Sequence, residues 1–272
     1  YNIPSASILD GTIPPAAIAS MQKTEQVTLS YSQKIRSSRS FQRFKSDYVK
    51  KIRFLKSSLN DLIDRTDPID QAELLSESVG LFGKQSTTIS IFDNLHNMRQ
   101  IDDSTYAHCL NVSIISRMFG MWLKYSDEDL DVLTLAGLLH DIGRQYGPMQ
   151  ARHALEGYRF LMEQGHPEEA RICMTHTFQY QNPEAVYDSW DCTEEELDWV
   201  RRYLSQITYD DYDRLIQLCD ALSLADGYCI AEKKMVSSIL KFGWKDTTEA
   251  KWKAILCLKD YFDNIINGDV YA

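Results

Sequence analysis

The 272-residue chain has no apolar run approaching the roughly 18–20 residues that a bilayer-spanning helix needs, and no signal-peptide pattern opens it. A membrane span is therefore not expected, and the cytoplasm is the expected location. Cysteine is present at six positions (109, 173, 192, 219, 229 and 257) without any CxxC spacing, and most of the six fall in apolar helical stretches. Free thiols in a reducing compartment are the simplest account, and a disulfide framework is not expected. Positive charge is short: 29 Lys and Arg stand against 39 Asp and Glu, a formal net charge of −10 that argues against broad polynucleotide binding. Strand alternation and internal repeats are also missing. The first residue is Tyr1 rather than Met, which leaves an upstream segment open.

What is there is mostly helical pattern. A chain of this length can bury a large core, as one large domain or as one domain with an appendage. Residues 1–20, with Pro4, Gly11, Pro14 and Pro15, read as a lead-in segment. Residues 21–100 read as an N-terminal extension of about three helices, with breaks near Thr66-Asp67-Pro68 and between Gly80 and Gly83. Within it Phe44, Tyr48, Ile52 and Leu55 recur at helical spacing and predict a packing face. Lys45, Lys50, Lys51, Arg53 and Lys56 lie between them as solvated charges, or as a face for a partner or an upstream domain. Pro148, Pro167 and Pro183 mark connections between later helices, and Thr193 with Glu196 predicts a capping box.

The most informative stretch is Leu138-Leu139-His140-Asp141-Ile142-Gly143-Arg144. Leu130, Val132, Leu133, Leu135 and Ala136 precede it, so this helix is apolar nearly all round and should be central. A buried Asp beside a buried His costs several kcal/mol in desolvation unless it is paired or holds a metal. A satisfied His–Asp hydrogen bond in a core is the plain alternative. The chain has six histidines, and three more of them sit in helical contexts. His108 shares a stripe with Val112, Ile115 and Phe119, at steps of four, three and four, which turns it inward. His153 lies in Arg152-His153-Ala154-Leu155, and His176 ends the mostly apolar turn Ala170-Arg171-Ile172-Cys173-Met174-Thr175-His176. Asp220 is an acid among the apolar residues Leu215, Ile216, Leu218, Cys219 and Leu222. His and Asp without thiolate form a hard-to-borderline ligand set, suited to Fe, Mn, Zn or Mg. His96 and His166 match no ligand position. Tyr209-Asp210-Asp211-Tyr212-Asp213 reads as helix capping in preference to an acidic metal loop.

The order His108, His140-Asp141, His153, His176, Asp220 resembles the HD superfamily of metal-dependent phosphohydrolases. The resemblance comes in two pieces. Residues from about Tyr31 to Arg144 are similar to the HD-GYP branch, with Asp102 to Val112 as its first helix. Residues from His140 to about Trp252 are similar to compact stand-alone bacterial HD proteins, so the chain reads as a possible mosaic joined at residues 140–144. The Gly-Tyr-Pro signature of HD-GYP enzymes is missing, and Gly157-Tyr158-Arg159 is no substitute; Ser104 stands where three-metal members place a Glu. The resemblance implies an all-α fold, an HD-domain helical bundle with extra N-terminal helices, in which residues 101–272 form the metal-binding domain.

It also implies two divalent ions, with Asp141 bridging them, His108, His140 and Asp220 completing one shell, and His153 and His176 the other. Two such ions about 3.5–4 Å apart would acidify a shared water, whose hydroxide attacks phosphorus in line. Arg144 and Arg152 are candidates to hold the substrate phosphate, since a guanidinium fork matches phosphate oxygens; a surface ion pair is the alternative for each. Asp141 and Arg144 are the expected catalytic residues. The expected activity is hydrolysis of a phosphate ester or phosphoanhydride of a small nucleotide-like substrate. A cyclic-di-GMP phosphodiesterase and a non-catalytic signalling module on the HD fold are the alternatives. No polynucleotide partner is expected, and a homo-oligomer stays open.

Overall fold

The computed structural model describes residues 29–65, 70–81, 87–98, 104–147 and 149–271. The expected lead-in segment 1–20 and the break at Thr66-Asp67-Pro68 lie outside them. The described residues form an all-α structure. Its N-terminal part holds α1 (Tyr31–Ser37), α2 (Arg39–Arg65), α3 (Gln71–Val79) and α4 (Thr88–Asn97). The central part holds α5 (Ser104–Trp122), α6 (Asp127–Leu139), a 3-10 turn (Ile142–Tyr146), α7 (Arg152–Glu163) and α8 (Pro167–Thr175). Then follow α9 (Glu194–Gln206), α10 (Asp211–Ala221), a hairpin of β1 (Ser223–Leu224) and β2 (Gly227–Tyr228), α11 (Ala231–Phe242) and α12 (Thr248–Ile266). The hairpin is antiparallel, pairing Ser223 with Tyr228 and Leu224 with Gly227; a two-residue ladder needs no alternating pattern, so the sequence carries no sign of it.

Capping sets the helix starts that the sequence marks. Ser126 and Asp129 form a reciprocal box at α6, Thr193 and Glu196 at α9, and Asp210 and Asp213 at α10. The acidic run at Tyr209–Asp213 is thus a helix start, as its spacing suggests. Pro167 is the first residue of α8 rather than part of a connection, a place where its missing N–H removes no helical bond.

The core sits where α5 and α6 cross. Val112, Ile115 and Phe119 on α5 and Leu133, Leu138 and Leu139 on α6 are buried. Gly137 allows the close approach, because a Cβ there would lie 2.6 Å from the Ser113 Cα. Across the seam Ser113 Oγ donates to the Thr134 carbonyl at 2.8 Å and Ser116 Oγ to the Leu133 carbonyl at 3.1 Å. The predicted face of α2 packs inward, with Phe44, Tyr48, Ile52 and Leu55 all buried. Its Tyr48 hydroxyl donates into Asn111 Oδ1 (2.6 Å) and the Ala107 carbonyl (3.0 Å) of α5, and Asn111 Nδ2 donates to the Leu224 carbonyl at 2.7 Å. This buried chain ties the N-terminal helices to the turn that follows α10.

The 3-10 turn lies directly on α7. A Cβ at Gly143 would fall 2.0 Å from the His153 carbonyl oxygen, and one at Gly157 would fall 2.3 Å from Cys173 Sγ. Gly157 is therefore a packing glycine between α7 and α8. We expect Gly143→Ala to force the turn off α7 and to lower unfolding free energy by about 3 kcal/mol, the upper part of the usual overpacking range. Urea denaturation of the two proteins measures it; a loss under about 1 kcal/mol would show that the approach is not tight.

Candidate metal centre

The six side chains expected to act together come from five places along the chain and meet near helix ends. His108 lies in the second turn of α5, and Asp220 in the last turn of α10. His140 caps α6 and His176 caps α8; Asp141 opens the 3-10 turn and His153 is the second residue of α7. Three of the imidazoles are fixed by one device. Nδ1 of His140 donates to the Gly137 carbonyl at 2.8 Å, Nδ1 of His176 to the Cys173 carbonyl at 2.7 Å, and Nδ1 of His153 to the Gln150 carbonyl. The accepting group is in each case three residues back, at His140 and His176 one of the carbonyls that a helix end leaves without an amide partner. A carbonyl can only accept, so the proton is on Nδ1 and Nε2 faces the centre.

Around Asp141 the distances are short. Its Oδ1 lies 3.1 Å from His153 Nε2 and 3.6 Å from His176 Nε2, and those two nitrogens are 3.3 Å apart. Its Oδ2 lies 3.9 Å from His140 Nε2 and accepts from Arg144 Nε at 2.8 Å. Asp220 Oδ1 lies 2.9 Å from His108 Nε2, 3.7 Å from His140 Nε2 and 2.7 Å from Lys234 Nζ. Two groups of atoms that could hold a metal ion result, His108–His140–Asp141 and Asp141–His153–His176, each with its atoms within 4.8 Å of one another, and Asp141 belongs to both.

Charge and burial agree with that arrangement. Burial pushes His140 down to about 4 despite the pull of Asp141. Burial also lowers His108, reinforced by Lys234, and lowers His176 against the opposing Asp141. Burial drives the Asp141 carboxyl up, yet Arg144 and His153 outweigh it and hold the group well below the usual carboxylate range. Asp220 behaves alike, with Lys234 and His108 overcoming its burial. The result is a pair of carboxylates facing imidazoles, of which His108, His140 and His176 are neutral at pH 7. His140 Nε2 and Asp141 Oδ1 are buried without a hydrogen-bond partner. Lone pairs aimed at one another at this range are unfavourable unless a cation stands among them, so the residues present fit a divalent metal. The donor set of imidazole nitrogen and carboxylate oxygen is the one expected for Fe, Mn or Zn.

A cavity of about 430 Å3 opens beside these groups, within the range of small-molecule sites, roughly 300–1,000 Å3. Arg144 lines it, its guanidinium also 3.2 Å from His153 Nε2. Arg152, the other expected phosphate holder, does not. Its guanidinium is taken up by Glu196, through both oxygens at 3.1 and 3.2 Å, and by Glu156 at 2.9 Å. That acidic pair lies on α7 and α9, and it turns Arg152 away from the ligands. His96 is exposed and His166 pairs with Gln71 at 2.6 Å, so neither joins the centre.

The sequence gives no warning of several other lining residues. Lys234 of α11 and Lys251 of α12 reach the cavity from beyond Asp220, and Gln179, Tyr187 and Asp188 come from the loop between α8 and α9. No motif marks them, and only the return of α11 and α12 over the loop brings them to the ligands. A second, smaller cavity of about 90 Å3 touches Asp141 and Arg144 from the other side and is walled by Leu59 of α2.

Residues 105–225 match the family model of the HD domain. That span starts just before His108 and ends just after Asp220, so it contains all six candidate ligand positions. The match supports the HD superfamily. Comparison with curated proteins and with solved structures found no match.

The protonation states set a pH dependence. His140 binds its proton at about 4 in the folded chain against an ordinary 6.5, so between those values the unfolded chain carries the extra proton. Stability of metal-free protein should therefore fall as pH drops from about 6.5 towards 4, by on the order of 3 kcal/mol from His140 alone, with His108 and His176 adding in the same direction. Urea melts across that range measure it. A flat profile, or one that His140→Asn leaves unchanged, would show that this imidazole is not held neutral.

Proposed function

We propose that this chain is a metal-dependent phosphohydrolase that cleaves a phosphate ester or phosphoanhydride of a small nucleotide-like substrate. The observation that carries the reading is Asp141, a buried carboxylate shared by two groups of imidazoles whose Nε2 atoms all face inward. On this reading His108, His140, Asp141 and Asp220 hold one ion, and Asp141, His153 and His176 hold another. Divalent ions there would acidify a bound water and neutralise phosphate oxygens. The chain's own residues then have positional tasks. Nδ1–H bonds to carbonyls fix the rings, and Arg144 balances the charge of Asp141 while its Nη1 donates to the Met149 carbonyl and its Nη2 lies 3.2 Å from His153 Nε2. The apolar shell of α5 and α6 behind His140 excludes water from one side of the centre.

The match to the HD domain supports hydrolase chemistry of this class. A cytoplasmic enzyme is in keeping with free Cys109, Cys173, Cys219 and Cys229, all buried. Cyclic-di-GMP is the less favoured substrate, because the Gly-Tyr-Pro signature is absent and Gly157 is engaged in packing.

Asp141→Ala should bind neither ion and lose turnover, whereas His153→Ala should chiefly weaken one ion. Elemental analysis of protein purified without added metal gives the stoichiometry, and circular dichroism confirms the fold. A phosphate-release screen with Mn2+ or Fe2+ over mononucleotides, dinucleoside polyphosphates and cyclic-di-GMP gives the activity. Undiminished metal in Asp141→Ala would end the bridging role, and preferential conversion of cyclic-di-GMP would replace this substrate class with the HD-GYP one.

A further inference from the structure

Positive charge is scarce in this chain and unevenly spread. Residues 31–60 hold nine Lys and Arg and one acid, Asp47, while the rest of the chain holds 20 cations against 38 acids. A positive pole therefore stands on a strongly negative body. The pole is a fixed surface of α2. Phe41, Phe44, Tyr48, Ile52, Leu55 and Leu59 are buried along one side of that helix. Arg39, Arg43, Ser46, Lys50, Arg53 and Ser57 follow one another at steps of four and three on the opposite side, and all are exposed. At 1.5 Å per residue the row from Arg39 to Arg53 is about 21 Å long. It contains no acid and no apolar side chain. Lys50 has the half-exposed Asp47 beside it at 3.1 Å, a surface pair of little strength. Lys51, off the row, engages Glu77 of α3. Among the described residues Arg39, Arg43, Lys45 and Arg53 have no ion pair.

An apolar edge adjoins this pole. Tyr31 of α1 is 67% exposed, Ile89 of α4 73% and Leu29 43%. The Tyr31 hydroxyl donates to Asp93 Oδ2 at 2.8 Å, and Ile89 lies one turn before Asp93 on α4, so tyrosine and isoleucine stand together. Lys34 and Arg36 make α1 basic as well, and no acid lies in its first turn. Gln42 Nε2 of α2 donates to the Arg36 carbonyl at 2.7 Å, which joins α1, and with it the apolar edge, to the flank of the basic row.

A straight row of cations matches a dense array of anionic groups. Single-stranded nucleic acid asks for aromatic faces between the cations, and here Phe41, Phe44 and Tyr48 are turned inward. A duplex offers phosphates to the row but nothing to Leu29, Tyr31 and Ile89. A lipid headgroup layer supplies both, as anionic groups and as a boundary zone where tyrosine and aliphatic side chains are favourable. We propose that α1, α2 and the first turn of α4 form a docking face for an anionic lipid surface. The face is peripheral, since no helix among the described residues is long and apolar enough to cross a membrane. Arg39, Arg43, Lys50 and Arg53 draw the pole to the headgroups, while the acidic body is turned away and screened over roughly 8–10 Å. The row lies on the far side of α2 from Tyr48 and Leu59, so docking touches none of the candidate metal ligands. It is independent of the hydrolase reading.

Flotation of the full chain with vesicles tests it, comparing phosphatidylcholine alone with phosphatidylcholine carrying about one-third phosphatidylserine. Binding to the mixed vesicles should exceed binding to the neutral ones about tenfold or more. It should fall as NaCl rises from about 0.1 to about 1 M, where the screening length drops from roughly 10 to 3 Å. Each cation removed should weaken binding about fivefold, so Arg43→Glu with Arg53→Glu should weaken it by more than about twentyfold. Arg43→Lys with Arg53→Lys should keep it within about threefold, because a headgroup layer reads the charge and not the guanidinium fork. Ile89→Ser should lower it about threefold at every salt concentration. Circular dichroism and metal content should be the same in all of them. Equal binding to the two kinds of vesicle, binding to neither, or a charge reversal without effect would each overturn the proposal. If the charge reversal shifts the sedimentation coefficient while vesicles go unbound, the row joins copies of this chain. If a duplex oligonucleotide is bound more tightly than the mixed vesicles, the row is a nucleic-acid face. Either outcome displaces the lipid surface.

Discussion

The arrangement of this protein turns on one carboxylate that the fold buries without giving it enough internal partners. Asp141 receives a single strong donor, Arg144, on Oδ2, while Oδ1 points at His153 and His176. In a core such an oxygen would be a defect. Here it faces imidazole nitrogens and no N–H of theirs, because His140, His153 and His176 have given those N–H groups to backbone carbonyls. A proton relieves one contact at most, whereas a divalent cation relieves several at once. The tightness of the surrounding helices follows from the need to keep these groups converged.

That convergence depends on backbone approach more than on the ligands themselves. Gly137 lets α6 settle onto α5 and brings His140 toward His108, whose rings lie 5.2 Å apart. Gly143 and Gly157 seat the 3-10 turn against α7 and α8, which fixes Asp141 relative to His153 and His176. Asn111, one turn beyond His108, holds the Leu224 carbonyl just past Asp220 and takes the Tyr48 hydroxyl from α2. The N-terminal helices are thus part of the scaffold of the centre, and Leu59 of α2 brings them to its rear wall.

The cations beside the candidate centre are concentrated within an acidic chain. Arg144, Lys234, Lys241 and Lys251 all line one cavity in a protein of net charge −10. Three of them have partners that fix their position, so the local field is built in advance of any ligand. Lys251 is pushed down to about 8 by burial, with Asp220 and Asp188 opposing, which shows how far this wall has been removed from water.

The pattern of residues by itself determined the all-α class, the packing face of α2, the inward stripe of His108 and the helix starts at Thr193 and Asp210. Each is a local matter: a period of 3.6 residues selects a buried face, and a side-chain oxygen three residues before an amide selects a cap. The convergence of His108, His140, Asp141, His153, His176 and Asp220 was legible too, because His and Asp in apolar turns need a reason to be there. Arg152 and Arg144 could not be told apart in this way. Both follow or precede a ligand by a few residues, and only the folded chain puts Glu156 and Glu196 beside Arg152 and leaves Arg144 on Asp141. Lys234, Tyr187, Gln179 and Ser223 were invisible for the same reason. Their place in the cavity lining comes from distances between segments far apart in sequence, and tertiary packing alone sets those distances.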